Sequence, residues 1–274
     1  MKNKYLTTIS IILITIFLFT QAGAQKFYTG LTSGYNLALG GQNLYYFDFT
    51  NNTSRNNAIT YDAVFVSLGQ GMNIGLNCGY HFNDHIACEL DVSWLKGDKQ
   101  KVEHKYQQGI TTCFLASQMI QVMPTLVLSA GMHKIQPFMK LGVLIGTGRI
   151  DYEKNTDDNE HSQIKVFRMN GGIAVGAGAA AGVKINISEK LSLSGEVALK
   201  NLNYAPVHGE YIQAEIDGID VLPEMTVYEK ETDYLSHYSV DENVPVDTSK
   251  PDEKLKQRLP FGSIGIKVGI VYNF

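Results

Sequence analysis

Over long stretches the chain alternates between apolar side chains and small or polar ones. At its end, Ile264, Ile266, Val268, Ile270, Tyr272 and Phe274 are apolar, while Ser263, Gly265, Lys267, Gly269 and Asn273 lie between them. A two-residue period is that of a strand whose faces meet different surroundings. The stretch from Gly71 to Phe82 repeats it: Met72, Ile74, Leu76, Cys78, Tyr80 and Phe82 share one face, and Asn73, Gly75, Asn77, Gly79 and His81 the other. Asn83-Asp84 is a turn signal. Beyond it Ile86, Cys88, Leu90, Val92 and Trp94 continue the apolar face against Ala87, Glu89, Asp91 and Ser93, which predicts a hairpin.

The same period predicts eight strands, at about 27–39, 66–82, 86–96, 111–129, 135–150, 165–187, 191–203 and 260–274. Pro124 and Pro137 fall on apolar faces, where a missing N–H interrupts the ladder. Connections alternate in length. Short ones lie at Asn83-Asp84, around Met132 to Lys134 and at Ser188 to Lys190; long ones span about 40–65, 97–110, 151–164 and 204–259. Short turns on one side and long loops on the other are the pattern of an outer-membrane barrel, the short side being periplasmic. The expected fold is therefore all-β: an eight-stranded antiparallel up-and-down transmembrane β-barrel with short periplasmic turns and long extracellular loops.

The first residues supply a route to that membrane. Lys2 and Lys4 precede an apolar run, and Ala22-Gly23-Ala24 has the small-x-small form of a signal-peptidase site, so residues 1–24 are expected to be a cleaved signal peptide and 25–274 the barrel domain. The formal charge of −4 becomes −6 without the two leader lysines, which argues against nucleic acid as a partner. Three cysteines are too few for a disulfide framework, and no cofactor or metal motif is present.

Alternation alone also fits a soluble sandwich or lipocalin-like barrel, with apolar side chains inward. Here the other face is too small and too sparsely charged to be a wetted exterior, being rich in glycine. Its charges balance: Glu89, Asp91 and Glu196 against Lys140, Lys184 and Lys267. At about 3.3 Å per residue all six lie at a similar height above the short-turn end, so they are expected to share one paired layer inside the barrel. Eight strands enclose an interior that side chains can fill, which disfavours a wide pore. Phe27, Tyr80, Phe82, Tyr272 and Phe274 are expected to form one aromatic girdle, and Trp94, Phe114 and Phe167 the other.

The leader, the eight alternating segments, the turn asymmetry and the closing "VGIVYNF" resemble the small OmpA- and OmpX-type barrels and the broad porin-like outer-membrane β-barrel domain family, over about Phe27 to Phe274. That resemblance implies the outer membrane of a Gram-negative bacterium, contact with its lipids and lipopolysaccharide, and a last strand ending in Tyr272 and Phe274 that the barrel-assembly machinery reads as an insertion signal. It implies an envelope and surface-presentation role without enzymatic activity. A narrow solute channel is the alternative, followed by an envelope lipid-modifying enzyme.

Three further motifs have plainer explanations. Gly176 to Ala181 loosely matches a dinucleotide fingerprint, yet strand period on both sides favours packing glycines. His237-Tyr238-Ser239 resembles the His-x-Ser of an outer-membrane lipid A deacylase, but it lies in a long loop rather than on a strand. Cys78 and Cys88 are expected outward beside one turn, as free apolar thiols or as a cross-strand disulfide, with Cys113 on the lumen side or in a loop. The 204–259 loop is the most individual part. From Ala205 to Lys256 it carries 13 acids against 4 lysines with interspersed tyrosines, which fits a solvated extracellular loop or a surface site for cations, glycans or a protein partner. A projecting hairpin is expected within residues 210–231.

Overall fold

The computed structural model describes residues 26–44, 50–55, 58–106, 109–131, 134–158, 161–239 and 245–274. The expected signal peptide, 1–24, lies outside them. Eight strands close a barrel: β1 (Phe27–Ala38), β2 (Gly71–His81), β3 (Ile86–Gly97), β4 (Ile110–Ser129), β5 (Ile135–Asp157), β6 (Ala174–Asn186), β7 (Leu191–Tyr204) and β8 (Ser263–Asn273). Every neighbouring pair is antiparallel, and the ring closes where β8 meets β1 at Lys267 opposite Gly34. Closure removes both sheet edges, so the barrel backbone satisfies its own hydrogen bonds, as a bilayer requires.

The alternation places the apolar side outward. Leu31, Leu76, Met139, Val197 and Ile266 are all exposed, Ile266 at 67%, whereas its neighbour Lys267 is 1% exposed. In water such a continuous apolar surface would be unfavourable; against hydrocarbon it is the stable arrangement. Phe27 and Tyr80 touch at 4.9 Å, Tyr80 and Phe82 at 5.5 Å, and Tyr272 and Phe274 at 5.2 Å, forming an aromatic band at the short-turn end.

Pro124 behaves as its missing N–H dictates. The β4–β5 ladder skips Met123 and Pro124 and resumes at Ile145 opposite Val122 in unchanged register, while Pro124 stays paired with Leu90 of β3.

Three expectations are corrected. The sixth segment, 165–187, is two strands, because Gly171 and Gly172 both take positive φ (75° and 77°) and turn the chain. Residues Ser162–Asn170 pair with the upper half of β5, while β6 pairs with its lower half. The long connections carry strands of their own: 50–55 with 58–63, Gln100–Lys105 against β4, His208–Ile216 against 162–170, and Glu231–Leu235 between His208–Glu210 and Asp252–Leu255. They continue the sheet beyond the barrel, since edge strands there have free donors to offer. Phe167 belongs to this outer sheet, packed edge-on to Tyr211 at 4.9 Å, and not to an aromatic girdle. Of the two readings for Cys78 and Cys88, the free outward thiol is the one found: both are free and exposed, and Cys88 opposes Tyr80 while Cys78 opposes Leu90, a diagonal too wide for a disulfide. The hairpin within 210–231 forms, with Glu215 opposite Asp220 and Asp217-Gly218 at φ 53° and 78° in its turn.

Candidate functional site

The lumen is filled in three tiers. At the short-turn end Tyr28, Ala87, Val127, Phe138 and Val271 pack together. Above them lies the charged layer that the strand parity predicts. Lys140 reaches Glu89 at 2.7 Å and Glu196 at 3.1 Å; Lys267 lies 3.7 Å from Asp91 and 3.6 Å from Glu196. The Tyr28 hydroxyl donates to the other oxygen of Glu89 at 2.9 Å. Gly79, opposite Glu89, makes room for it: a Cβ there would fall 2.1 Å from the Tyr28 ring. Each of these carboxylates therefore has a cation, and Lys140 and Lys267 each face two carboxylates, which is the condition under which buried ions are tolerated.

Five of the six residues expected in this layer are brought together. Lys184 is not: it is half-buried at the lumen mouth, its ammonium 5.6 Å above the Tyr28 ring, and no carboxylate among the described residues is within ion-pair reach. It sits lower on its strand, nearer the open end. Sequence reasoning also missed Lys200, which is 2% exposed and donates to Gln121 at 2.5 Å. Its signal was available, since 200 has the same parity as Glu196 on β7. Between these groups remains a cavity of about 40 Å³ lined by Tyr28, His81, Lys140 and Lys184, room for a few waters only.

The third tier is apolar. Leu95, Leu115, Met119, Leu144, Ile150, Leu202 and Phe261 are almost wholly buried and join Leu68 and Tyr204 in one cluster. Cys113 belongs to it and is fully buried, with the Tyr152 hydroxyl 3.2 Å from its sulfur. This apolar plug lies above the ions. Tyr204 ties it to the outer sheet, its hydroxyl within 2.6 Å of the Gly148 carbonyl and 2.5 Å of the Gly171 carbonyl.

Beyond the plug the outer sheet is held by its own polar pairs. Arg168 grips Asp151 across the 162–170 strand with two bonds, 2.7 and 3.1 Å. His161 meets Asp217 at 2.9 Å, which raises the imidazole above its ordinary range; Asp217 is lowered by the Ser162 N–H and by His161. Lys99 pairs with Glu153 at 2.7 Å and stands 4.0 Å over the Phe114 ring. His237 and Ser239 are both exposed, and among the described residues no hydrogen bond joins them. Among the described residues no group of His, Cys, Asp and Glu side chains is placed to hold a metal ion. Tyr272 on β8 and Phe274 just beyond it are both exposed.

Residues 10–218 match the family model described as outer membrane protein beta-barrel domain. A comparison with curated proteins finds no match. Among solved structures, Neisserial surface protein A (NspA) is 10% identical, covering 90% of this chain and 97% of that one at a TM-score of 0.35. The outer membrane protein OmpT of Vibrio cholerae, in trimer form, is 8% identical, covering 90% and 98% at a TM-score of 0.10. Both superpositions are too loose to bear on function. With the family match spanning most of the chain and the closed, outwardly apolar barrel described above, the chain belongs to the outer membrane protein β-barrel domain family.

Proposed function

We propose that this protein is a non-enzymatic, non-conducting barrel that contributes to envelope structure and presents its outer sheet at the cell surface. The observation that carries the proposal is the double seal of the lumen, an ion-paired layer below and an apolar plug above. An ion entering from the short-turn end would have to break the Lys140 and Lys267 pairs and then cross a hydrocarbon-like cluster, for which it has no compensating ligands. This counts against the narrow-channel alternative. The exposed, unlinked positions of His237 and Ser239 count against a lipid-modifying site.

In this proposal the leader is removed before Gln25, and residues 25–274 insert with the short turns in the periplasm. The assembly machinery reads the outward Tyr272 and Phe274, and lipids with lipopolysaccharide cover the apolar wall. Planar-bilayer recording of the purified protein tests it. The expected trace shows no unitary steps above the bare membrane. Reproducible conductance steps that scale with inserted protein would overturn the proposal.

A further inference from the structure

We propose that the long-loop end carries a binding cleft for a neutral oligosaccharide, walled by Tyr152, Phe167, Tyr211, Tyr228, Tyr234 and Tyr238. It encloses about 690 Å³, within the span of small-molecule sites. The inference rests on the surface-presentation reading, because the cleft meets external ligands only if the long loops face outward.

The charges around the cleft are already answered within the protein. Asp252 holds Lys254 at 2.9 Å and faces Tyr228, raising that phenol. Glu229 is consumed by the cap of the 227–230 helix, accepting from the Thr226 N–H and hydroxyl at 2.8 Å each. Lys154 is also engaged. What remains for a ligand is therefore neutral: ring faces, phenol hydroxyls and the Gln257 amide. The charged residues of the lining are two cations, Lys154 and Lys254, and two anions, Glu229 and Asp252, so the cleft favours neither sign of ionic ligand, whereas a saccharide lays its C–H faces on aromatic rings and offers hydroxyls to the polar rim.

Tyr234 is the second, independent sign. It is 7% exposed, lines the cleft, and its hydroxyl has no hydrogen-bond partner among the described residues. Burial, with Tyr211 and Asp252 nearby, pushes this phenol up to about 12, so it remains a neutral donor. That hydroxyl is not sealed inside the protein but opens to the cleft, so it is available to donate to a sugar hydroxyl. The ring walls are fixed in place: Phe167 packs edge-on to Tyr211, and the Phe167 ring presses on Gly209, where a Cβ would come within 2.5 Å.

The test is calorimetric titration of the detergent-solubilised full chain with neutral hexasaccharides of glucose, mannose, galactose and N-acetylglucosamine. A heparin hexasaccharide and an uncharged decapeptide serve as comparisons. At least one neutral sugar is expected to bind, and the heparin fragment is not. Tyr234→Phe, which keeps the ring and removes only the hydroxyl, should weaken binding by about tenfold, and Tyr211→Ala with Tyr238→Ala should abolish it while heat-modifiable gel mobility stays intact. Failure of every neutral sugar to bind at millimolar concentration, affinity unchanged in Tyr234→Phe, or binding of the heparin or peptide alone would overturn the proposal. Protease shaving of intact cells separates the two levels: cleavage within 204–259 without sugar binding removes the cleft and leaves surface presentation standing, whereas protection removes presentation itself.

Discussion

Replacing Lys140 by Met leaves the barrel wall intact and strips one cation from between two buried carboxylates. The cost can be worked from the geometry. Breaking a buried ion pair from one side costs about 3–5 kcal/mol, because the abandoned charge stays desolvated. Here Glu196 keeps Lys267 at 3.6 Å and Glu89 keeps the Tyr28 hydroxyl at 2.9 Å, so the loss belongs near the low end, about 3 kcal/mol. Adding Glu89→Leu removes the stranded carboxylate, and the double variant should regain most of that, giving a coupling of about 2 kcal/mol. Lys184→Met serves as the contrast: with no carboxylate among the described residues in ion-pair reach, it should change stability by less than about 1 kcal/mol. Urea unfolding equilibria in phospholipid vesicles, followed by tryptophan fluorescence, supply all four values. Additive single effects at Lys140 and Glu89, or equal costs at Lys140 and Lys184, would refute the paired layer.

Two further outcomes are expected. Gly79→Ala drives a methyl into the Tyr28 ring and displaces its hydroxyl from Glu89, an overpacking cost of about 1–3 kcal/mol measurable in the same unfolding experiment. His161 titrates above its ordinary value because Asp217 faces it; its folded-state pKa is raised, so the link it makes between the outer turns is fully present below about pH 6.5 and is lost as pH rises through the folded pKa. Proton NMR of the imidazole should show that raised midpoint falling back in Asp217→Asn, and an identical midpoint in both proteins would contradict the link.

The barrel itself was legible because a bilayer imposes one rule on every strand: alternate positions must be apolar. Ile264 through Phe274 and Met72 through Phe82 obey it, so strand positions and the side each residue takes follow from parity. The same parity placed Glu89, Asp91, Lys140, Glu196 and Lys267 inside, and height above the short turns brought them together. Lys184 failed because the register sets Gly182, not Lys184, opposite Glu196, leaving the lysine two residues nearer the short turn than the layer it was expected to join. The apolar plug was hidden for another reason. Leu115, Met119, Met123 and Leu144 lie on the inward face, so in that part of the barrel both faces are apolar and periodicity cannot distinguish a wall from a core. Beyond the membrane the rule lapses. The outer strands at 162–170 and 208–216 are specified by register and by pairs such as Arg168 with Asp151, which depend on which segments meet. The Gly171-Gly172 break was visible as a turn signal within 165–187, yet the strand period on both sides masked it.

The orientation of the apolar faces underlies every part of this account, and the chain carries one natural reporter of it. Trp94 is the only tryptophan in the sequence and is exposed on the outer wall of β3. In vesicles whose acyl chains carry bromine, its fluorescence should be strongly quenched, and aqueous iodide should leave it nearly unchanged. Quenching by iodide with indifference to the brominated chains would place that wall in water and contradict the account.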